Sequence, residues 1–435
     1  MAPARDGQWT ARVFPAHQAG RDLAGHVAAH GPVPLPHRHD ASWSAALVDA
    51  VRSSGLTGRG GGGFPTARKW DVVQGRRGRP TVIVNAMEGE PASRKDRALL
   101  DVAPHLVLDG AELVAMAVSA REITVCVADD RDDSAQRVRA ALAERVAAGL
   151  MRTPGSVVRP PGRYITGEES ALAAWLAGGF AHPQFRAAKG VPLSVGRRSI
   201  LVHNAETLAH VALVARHGPE WFRAVGTPDA PGTCLVSASG AVDRPGVYEV
   251  ELGTTIDAIL RRVGHQPVGG VLVGGYGGSW LAPERLGTPY APGPLAAVGA
   301  SVGAGVLVAL PASSCGVAET ARVATYMADE SAGQCGPCIF GLHAVAGDLV
   351  DLARADGDRH TLARLRHRLG EVEGRGACRH PDGVVRMVRS ALDVFATDFA
   401  EHGRRRPCRA WSAAPVLPVP PSAVDAVRHG RPRGR

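Results

Sequence analysis

The sequence predicts an α/β domain on a mostly parallel sheet, followed by a small α+β module and a helical C-terminal domain. Short apolar runs at 81–86 (TVIVNA), 123–128 (ITVCVA) and 200–204 (ILVHN) alternate with longer stretches of helical apolar spacing. That alternation is the pattern of parallel strands covered by helices. After Pro228 the composition changes, and TCLVSASGAV, a turn at DRPG and VYEVE read as a hairpin. After Pro311 the spacing becomes helical to about Phe399. A chain of 435 residues is long enough for two to four domains.

Residues 1–40 mix Pro, His, Gly and Arg without periodicity and read as an extension, with His37 and His39 solvated rather than metal-bound. ASWSAALVDAVRSS, from Ala41, is a helix broken by SGLTGRGGGGFP. Further helices are expected at 105–120, 134–148, 168–177 and 205–215, completing a first domain over 41–228. The module at 229–311 adds the helix TTIDAILRRVG and the strand VLVGGYGG to its hairpin. Four amphipathic segments fill 312–403, and the Arg- and Pro-rich 404–435 reads as a disordered tail.

Composition excludes several functions. Hydrophobic residues are 45% and charged residues 21%, values of a folding chain. Aromatics at 5% argue against stacked-base nucleic-acid binding. Of the net charge of +9, the segment from Glu401 onward, with eight Arg against Glu401 and Asp425, carries +6, so the body is nearly neutral. Only Lys69, Lys95 and Lys189 are lysines, which marks the positions where one is kept. No apolar run reaches the ~18 residues of a membrane helix. No signal core opens the chain, and an odd count of seven Cys is no secreted disulfide framework. The thiols are expected to be reduced, cytoplasmic and available as ligands.

Four motifs carry chemistry. Gly58-Arg59-Gly60-Gly61-Gly62-Gly63-Phe64-Pro65 exposes backbone N–H groups ahead of a helix through Lys69, an arrangement suited to phosphate. Its letters satisfy G-x-G-x-x-G, but a helix precedes it where the dinucleotide fingerprint requires a strand; a merely flexible loop is the competing account. Asn85-Ala86-Met87-Glu88-Gly89-Glu90-Pro91 follows the first strand at its carboxyl end, where open α/β sheets bind ligands. A solvated turn would have the same letters. Thr166-Gly167-Glu168-Glu169 fits a capping box with Thr166 as N-cap, and could also put carboxylates beside the glycine loop. Cys335-Gly336-Pro337-Cys338 with Cys378 has metal-ligand spacing. Zinc would prefer a fourth N/S ligand, for which Cys315 and several His are available.

Together SGLTGRGGGGFPTARKW, VNAMEGEP, YITGEESAL, HNAETLAHV, SGAVDRPGVYE and ESAGQCGPC stand in an order that resembles the NADH-binding flavoprotein subunit of respiratory complex I (NADH-quinone oxidoreductase) and its relatives in hydrogenases and formate dehydrogenases. The resemblance covers about residues 41–400. It implies an FMN-binding α/β domain, a ubiquitin-like β-grasp (SLBB) module and a helical 4Fe-4S domain. It places Gly58, Arg59, Gly60, Gly61, Lys69, Asn85, Glu88, Gly167, Glu168, Asn204 and Thr207 on the flavin side. Phe64, Glu90 and Glu169 fall on the NADH side, with Glu90 and Glu169 the catalytic candidates, and Cys335, Cys338 and Cys378 are cluster ligands. The implied reaction is hydride transfer from NADH to FMN, then single-electron transfer through the cluster to an acceptor.

Five positions depart from the resemblance, besides a nearby lysine that is Arg186 here. Met87 stands where an aspartate is usual, and His203 where an asparagine is. Val72 and Lys189 replace aromatic residues that flank the adenine alongside Phe64. Ala332 replaces the first cysteine of the cluster motif. The implied protein is a cytoplasmic oxidoreductase, peripheral to a larger redox complex or served by a ferredoxin-like partner. The alternatives are an FMN protein that exchanges electrons with such a partner without NADH, and a non-catalytic interaction subunit.

Overall fold

The computed structural model describes residues 11–14, 21–36, 40–75, 78–185 and 193–430. His37, His39, Arg186 and Lys189 lie outside the described residues. The first domain is built on a five-stranded sheet of order β3-β2-β1-β5-β4. Its strands are β1 (Thr81–Ala86), β2 (Glu122–Val127), β3 (Gly155–Val158), β4 (Leu193–Val195) and β5 (Arg198–Asn204). β1 pairs in parallel with β2 and β5, β2 with β3 likewise, and the short β4 runs antiparallel to β5. β1 and β2 are buried nearly throughout, which is why they read as unbroken β-branched runs rather than alternating ones. The helix Pro104–Ala117 is buried at every residue. It crosses Ala205–Arg223 so closely that a Cβ on Gly110 would stand 1.9 Å from the Leu208 carbonyl oxygen, so only glycine fits there.

The chain leaves β1 toward β2 on one side and returns through β5 on the other. The carboxyl ends of β1 and β5 therefore flank the point where strand order reverses, the place where open α/β sheets form a ligand crevice. Asn85 and Asn204 face each other there in register.

The second sheet has the order β7-β6-β10-β8-β9, from β6 (Thr233–Gly240), β7 (Gly246–Glu251), β8 (Val268–Val273), β9 (Ser279–Leu281) and β10 (Val306–Pro311). β6 and β10 are parallel, and the other pairs antiparallel. The helix Ile256–Val263 packs Ile256, Ile259, Leu260 and Val263 into the core beneath that sheet.

The helical part holds five helices, Gly316–Asp329, Leu342–Arg354, Thr361–Val372, His380–Val394 and Ala396–Gly403, where the spacing predicts four amphipathic segments. Phe395, at φ −107° and ψ 33°, splits the last into two. A π-turn, Pro337–Gly341, carries the second motif cysteine, a geometry often found at functional sites.

Both ends correct the sequence reading. Leu23–His30 is a helix capped by Asp22, and His26 is buried with Nε2 2.7 Å from Asp109. Two arginines also grip Asp109, Arg145 at 2.6 Å and Arg216. This docking through a polar cluster leaves no hydrophobic period to detect. Residues 404–430 form an ordered arm rather than a disordered tail. Its helix Pro421–His429 buries Ala423, Ala426 and Val427, and Leu417 joins the helical core. Compositional bias misled because a few apolar residues, together with backbone bonds to the Glu319 carboxylate from Val416 (3.2 Å) and Leu417 (3.1 Å), fix the segment. Among the described residues no helix is long and apolar enough to cross a membrane.

Candidate functional site

The glycine loop lies against the carboxyl end of β5, whose Asn204 is the neighbour of Asn85 on β1. The Gly58 N–H donates to the Phe64 carbonyl at 2.9 Å and closes the loop, and the Arg59 N–H donates to Thr207 Oγ1 at 2.9 Å. A Cβ on Gly60 would press to 3.2 Å from Asn204 Cβ, and Gly61 holds a φ of +98°. Above Gly62 and Gly63 the space is open. Arg59 is buried, with Nε and Nη2 lacking any partner. An open glycine loop with free backbone N–H groups suits an anionic group with several acceptor oxygens, and the buried Arg59 guanidinium, which also acts on Glu206, adds positive charge behind it.

Lys69, on the helix Thr66–Gln74, donates to the Val202 carbonyl at 3.2 Å and forms an ion pair with Glu169. A flavin-side and an NADH-side candidate are thus a single pair. Asn85 Nδ2 donates to the Gly167 carbonyl at 2.9 Å, so the loop after β1 is tied to the Tyr164–Gly167 turn. Thr166 is not the N-cap; the helix Glu169–Leu176 is capped by Glu168, whose carboxylate accepts from the N–H groups of Ser170 and Ala171 at 2.9 Å each. A carboxylate serves an N-terminus as well as a hydroxyl does, and Thr166 instead ends in the preceding 3₁₀ turn.

Glu88 and Glu90 point away from each other's partners. Glu88, at a positive φ of 45°, accepts from Asp96 N–H (2.8 Å), Arg97 N–H (3.1 Å) and Ser93 Oγ (3.0 Å), bracketing the start of the helix Lys95–Val102. Glu90 is buried and accepts from Tyr276 N–H at 2.8 Å and Ala92 N–H at 3.3 Å. Burial pushes both carboxyls up to about 7, with Asp96 adding to the rise at Glu88.

Sequence reasoning picks out Lys95 only as a rare lysine. It is the hub beneath the site, with Nζ 2.7 Å from Asp96, 3.0 Å from Asn204 Oδ1 and 3.1 Å from Glu206. Asn204 Nδ2 donates to Asp96 at 2.7 Å. Burial alone would raise Glu206, but Lys95 overcomes it and holds that carboxyl down at about 2. Such a fully connected buried network fixes side-chain directions. Tyr164 is a second residue that sequence reasoning misses: its N–H donates to Glu330 at 2.8 Å and its ring packs edge-on against Tyr326 and His380 of the helical part.

The departures have structural consequences. Met87 is buried among Ile83, Leu172, Ile200 and Val202, so it adds apolar packing where an aspartate would offer oxygens. His203 accepts from Trp70 Nε1 at 2.8 Å, and burial, reinforced by Lys69, keeps it neutral. Val72 and Phe64 are both half-buried at the rim.

The three motif cysteines converge. Cys335 and Cys338 Sγ atoms are 3.4 Å apart, the Cys378 thiol acts electrostatically on Cys338, and the Ser331 hydroxyl hydrogen-bonds Cys338. Burial pushes the Cys338 thiol up to about 12 and raises Cys378, to which Glu168 contributes. Cys315 takes no part in this group; it lies with His402 and Cys408.

The chain matches two family models, the Nuo51 FMN-binding domain over residues 51–213 and the NADH-ubiquinone oxidoreductase-F iron-sulfur binding region over 318–402. It is 30% identical to the second NADH-quinone oxidoreductase F subunit of Rhizobium meliloti, over 83% of this chain and 90% of that one. It is 31% identical to the NADH-quinone oxidoreductase F subunit of Escherichia coli, covering 83% and 85% of the two chains. A crystal structure of an NAD+-reducing [NiFe]-hydrogenase in the H2-reduced state superposes with a TM-score of 0.78 at 29% identity, covering 91% of this chain and 69% of that one.

Proposed function

From the premise that this chain belongs to the family of NADH-quinone oxidoreductase F subunits, we propose that it passes a hydride from NAD(P)H to FMN and then single electrons through an iron-sulfur cluster to an acceptor. It is a flavin- and iron-sulfur-dependent oxidoreductase of that family. One observation carries the route. The Tyr164–Glu168 segment is bonded to Asn85 through Gly167 at one end, and at the other the Tyr164 ring packs edge-on against His380, two residues from the candidate cluster cysteine Cys378. A donor site and a cluster site thus share one short turn.

Bound FMN would supply the step from two-electron to one-electron chemistry, and the protein's residues hold and orient it. Gly58, Arg59, Gly60 and Gly61 fit its phosphate, and Lys69, Asn85, Gly167, Glu168, Asn204 and Thr207 border the remainder of the crevice. Lys69 would supply a positive charge to offset the negative charge that a reduced flavin carries. Glu88 acts indirectly, by fixing the loop after β1. On the NADH side Phe64 offers the one remaining aromatic face, Glu169 orients Lys69, and Glu90 holds the loop above the crevice. Cys335, Cys338 and Cys378 hold the cluster. Ser331, next to Ala332 in sequence and hydrogen-bonded to Cys338, would be the candidate oxygen donor for an iron left without a cysteine.

The order β7-β6-β10-β8 with a central parallel pair supports a β-grasp (SLBB) assignment for the middle module. Exposed Ile339 and Phe340, next to Cys338, give an apolar face for docking an electron acceptor, consistent with a cytoplasmic component of a larger redox complex or one served by a ferredoxin-like protein. Anaerobic reconstitution with FMN, iron and sulfide, followed by flavin and iron analysis, tests the cofactor reading. Flavin bound with no iron would leave hydride transfer without its electron outlet.

A further inference from the structure

Cys315, His402 and Cys408 bring two sulfur atoms and one nitrogen within 4.8 Å of one another. We propose that these three side chains bind a zinc ion that fastens the 404–430 arm to the helical domain. Zn–S bonds of about 2.3 Å and Zn–N bonds of about 2.0 Å give a tetrahedral S···N edge of about 3.5 Å. Cys315 Sγ stands 3.7 Å from His402 Nε2.

The surroundings prepare the ligands. His402 Nδ1 faces the carbonyl oxygens of Leu352 (3.1 Å) and Ala353 (3.2 Å), so Nδ1 carries the proton and Nε2 presents its lone pair to the sulfurs. That lone pair now accepts from the Cys408 N–H at 3.1 Å, a contact the metal would displace. Cys315 is the N-cap of the helix Gly316–Asp329 and its sulfur accepts from the Ala318 N–H at 3.4 Å, which offsets part of the burial that pushes this thiol up to about 12; the metal's own charge would displace the proton. Cys315 and His402 are buried and Cys408 half-buried. Two thiolates with Zn²⁺ make a neutral unit, which lowers the cost of burying it. A water molecule would complete the zinc's tetrahedron. Cys315 and Cys408 both lie outside the 318–402 region that matches the family's iron-sulfur model. The arm so held caps the helical domain and reaches the second sheet, where Tyr276 Oη donates to the Pro418 carbonyl at 2.6 Å.

The test is metal analysis of the tag-free full chain, purified anaerobically and incubated with one equivalent of zinc chloride before desalting. The wild type should hold about one zinc per chain with a sulfur-and-nitrogen first shell at the zinc K edge. Cys335→Ser should keep that zinc. Cys408→Ser should lose it while retaining FMN, which shows that the variant has folded, and trypsin should then cleave within Arg404–Arg409 at least several-fold faster. Absence of zinc from the wild type would overturn the proposal. So would zinc lost in Cys335→Ser but kept in Cys408→Ser, or a Cys315–Cys408 disulfide found by mass spectrometry in place of the metal.

Discussion

The carboxylate of Glu90 accepts the backbone N–H of Tyr276 at 2.8 Å, so the loop that follows β1 is pinned from above by the loop that follows β8. Tyr276 in turn packs edge-on against Tyr326, which packs edge-on against Tyr164. The loop after β1 is therefore tied to the second sheet and to the helical part at once.

Glu90 makes stability depend on pH. Its folded pKa is raised to about 7 by burial, so between the ordinary carboxyl range and pH 7 the folded chain binds more protons than the unfolded one. Stability from this group is greatest at low pH and declines as pH rises through that window. Glu90→Gln should remove the decline, gaining on the order of 1 to 3 kcal/mol relative to wild type between pH 5 and pH 8. Urea unfolding at the two pH values checks this; an equal difference at both would show that Glu90 does not titrate there.

Lys69→Met should weaken FMN binding about 10- to 100-fold, the loss of a charge-assisted hydrogen bond in a half-buried site. Quenching of flavin fluorescence reads the affinity. Glu169→Gln, which frees Lys69 without removing it, should cost less FMN affinity than Lys69→Met and should instead slow reduction by NADH.

An aromatic face against adenine is worth ~0.5 to 1.5 kcal/mol beyond area burial. With Val72 and Lys189 in those places, NADH affinity should fall roughly 5- to 150-fold below that of a site with both rings. Val72→Phe should recover several-fold in the NADH concentration that half-saturates flavin reduction, measured by stopped flow, with the rate at saturation unchanged.

Ligation by Cys335, Cys338 and Cys378 alone would leave one cluster iron without a cysteine. Ala332→Cys should raise iron content toward four per chain relative to wild type and change the EPR signal of the reduced or oxidised cluster. Ser331→Ala in the wild-type background should lower iron retention. An unchanged spectrum in Ala332→Cys would mean that the added thiol does not reach the cluster.

The parts of the fold that are legible in the sequence are those fixed by local pattern. The run TVIVNA is β1 and the spacing of ASWSAALVDAVRSS is the helix Ala41–Ser54 to the residue. The short strands β3, β4 and β9 escape notice because three or four residues carry no period. The motifs locate the crevice, since glycines and strand-end amides are local signals. They do not show Glu88 turned into a helix bracket, Glu168 acting as a cap, or the hub at Lys95, because each depends on which backbone groups the fold brings near. The pairing of Cys315 with His402, 87 residues away, is beyond any spacing rule.

The most direct test of the central claim is an anaerobic titration of the FMN- and iron-reconstituted chain with NADH and, separately, NADPH, followed in the visible spectrum. Bleaching of the flavin band by one of them, with the cluster absorbance falling as electrons move on, is the result the shared Tyr164–Glu168 turn predicts. A flavin that dithionite bleaches but neither nucleotide does would contradict hydride transfer at this site and leave an electron carrier without a nicotinamide donor.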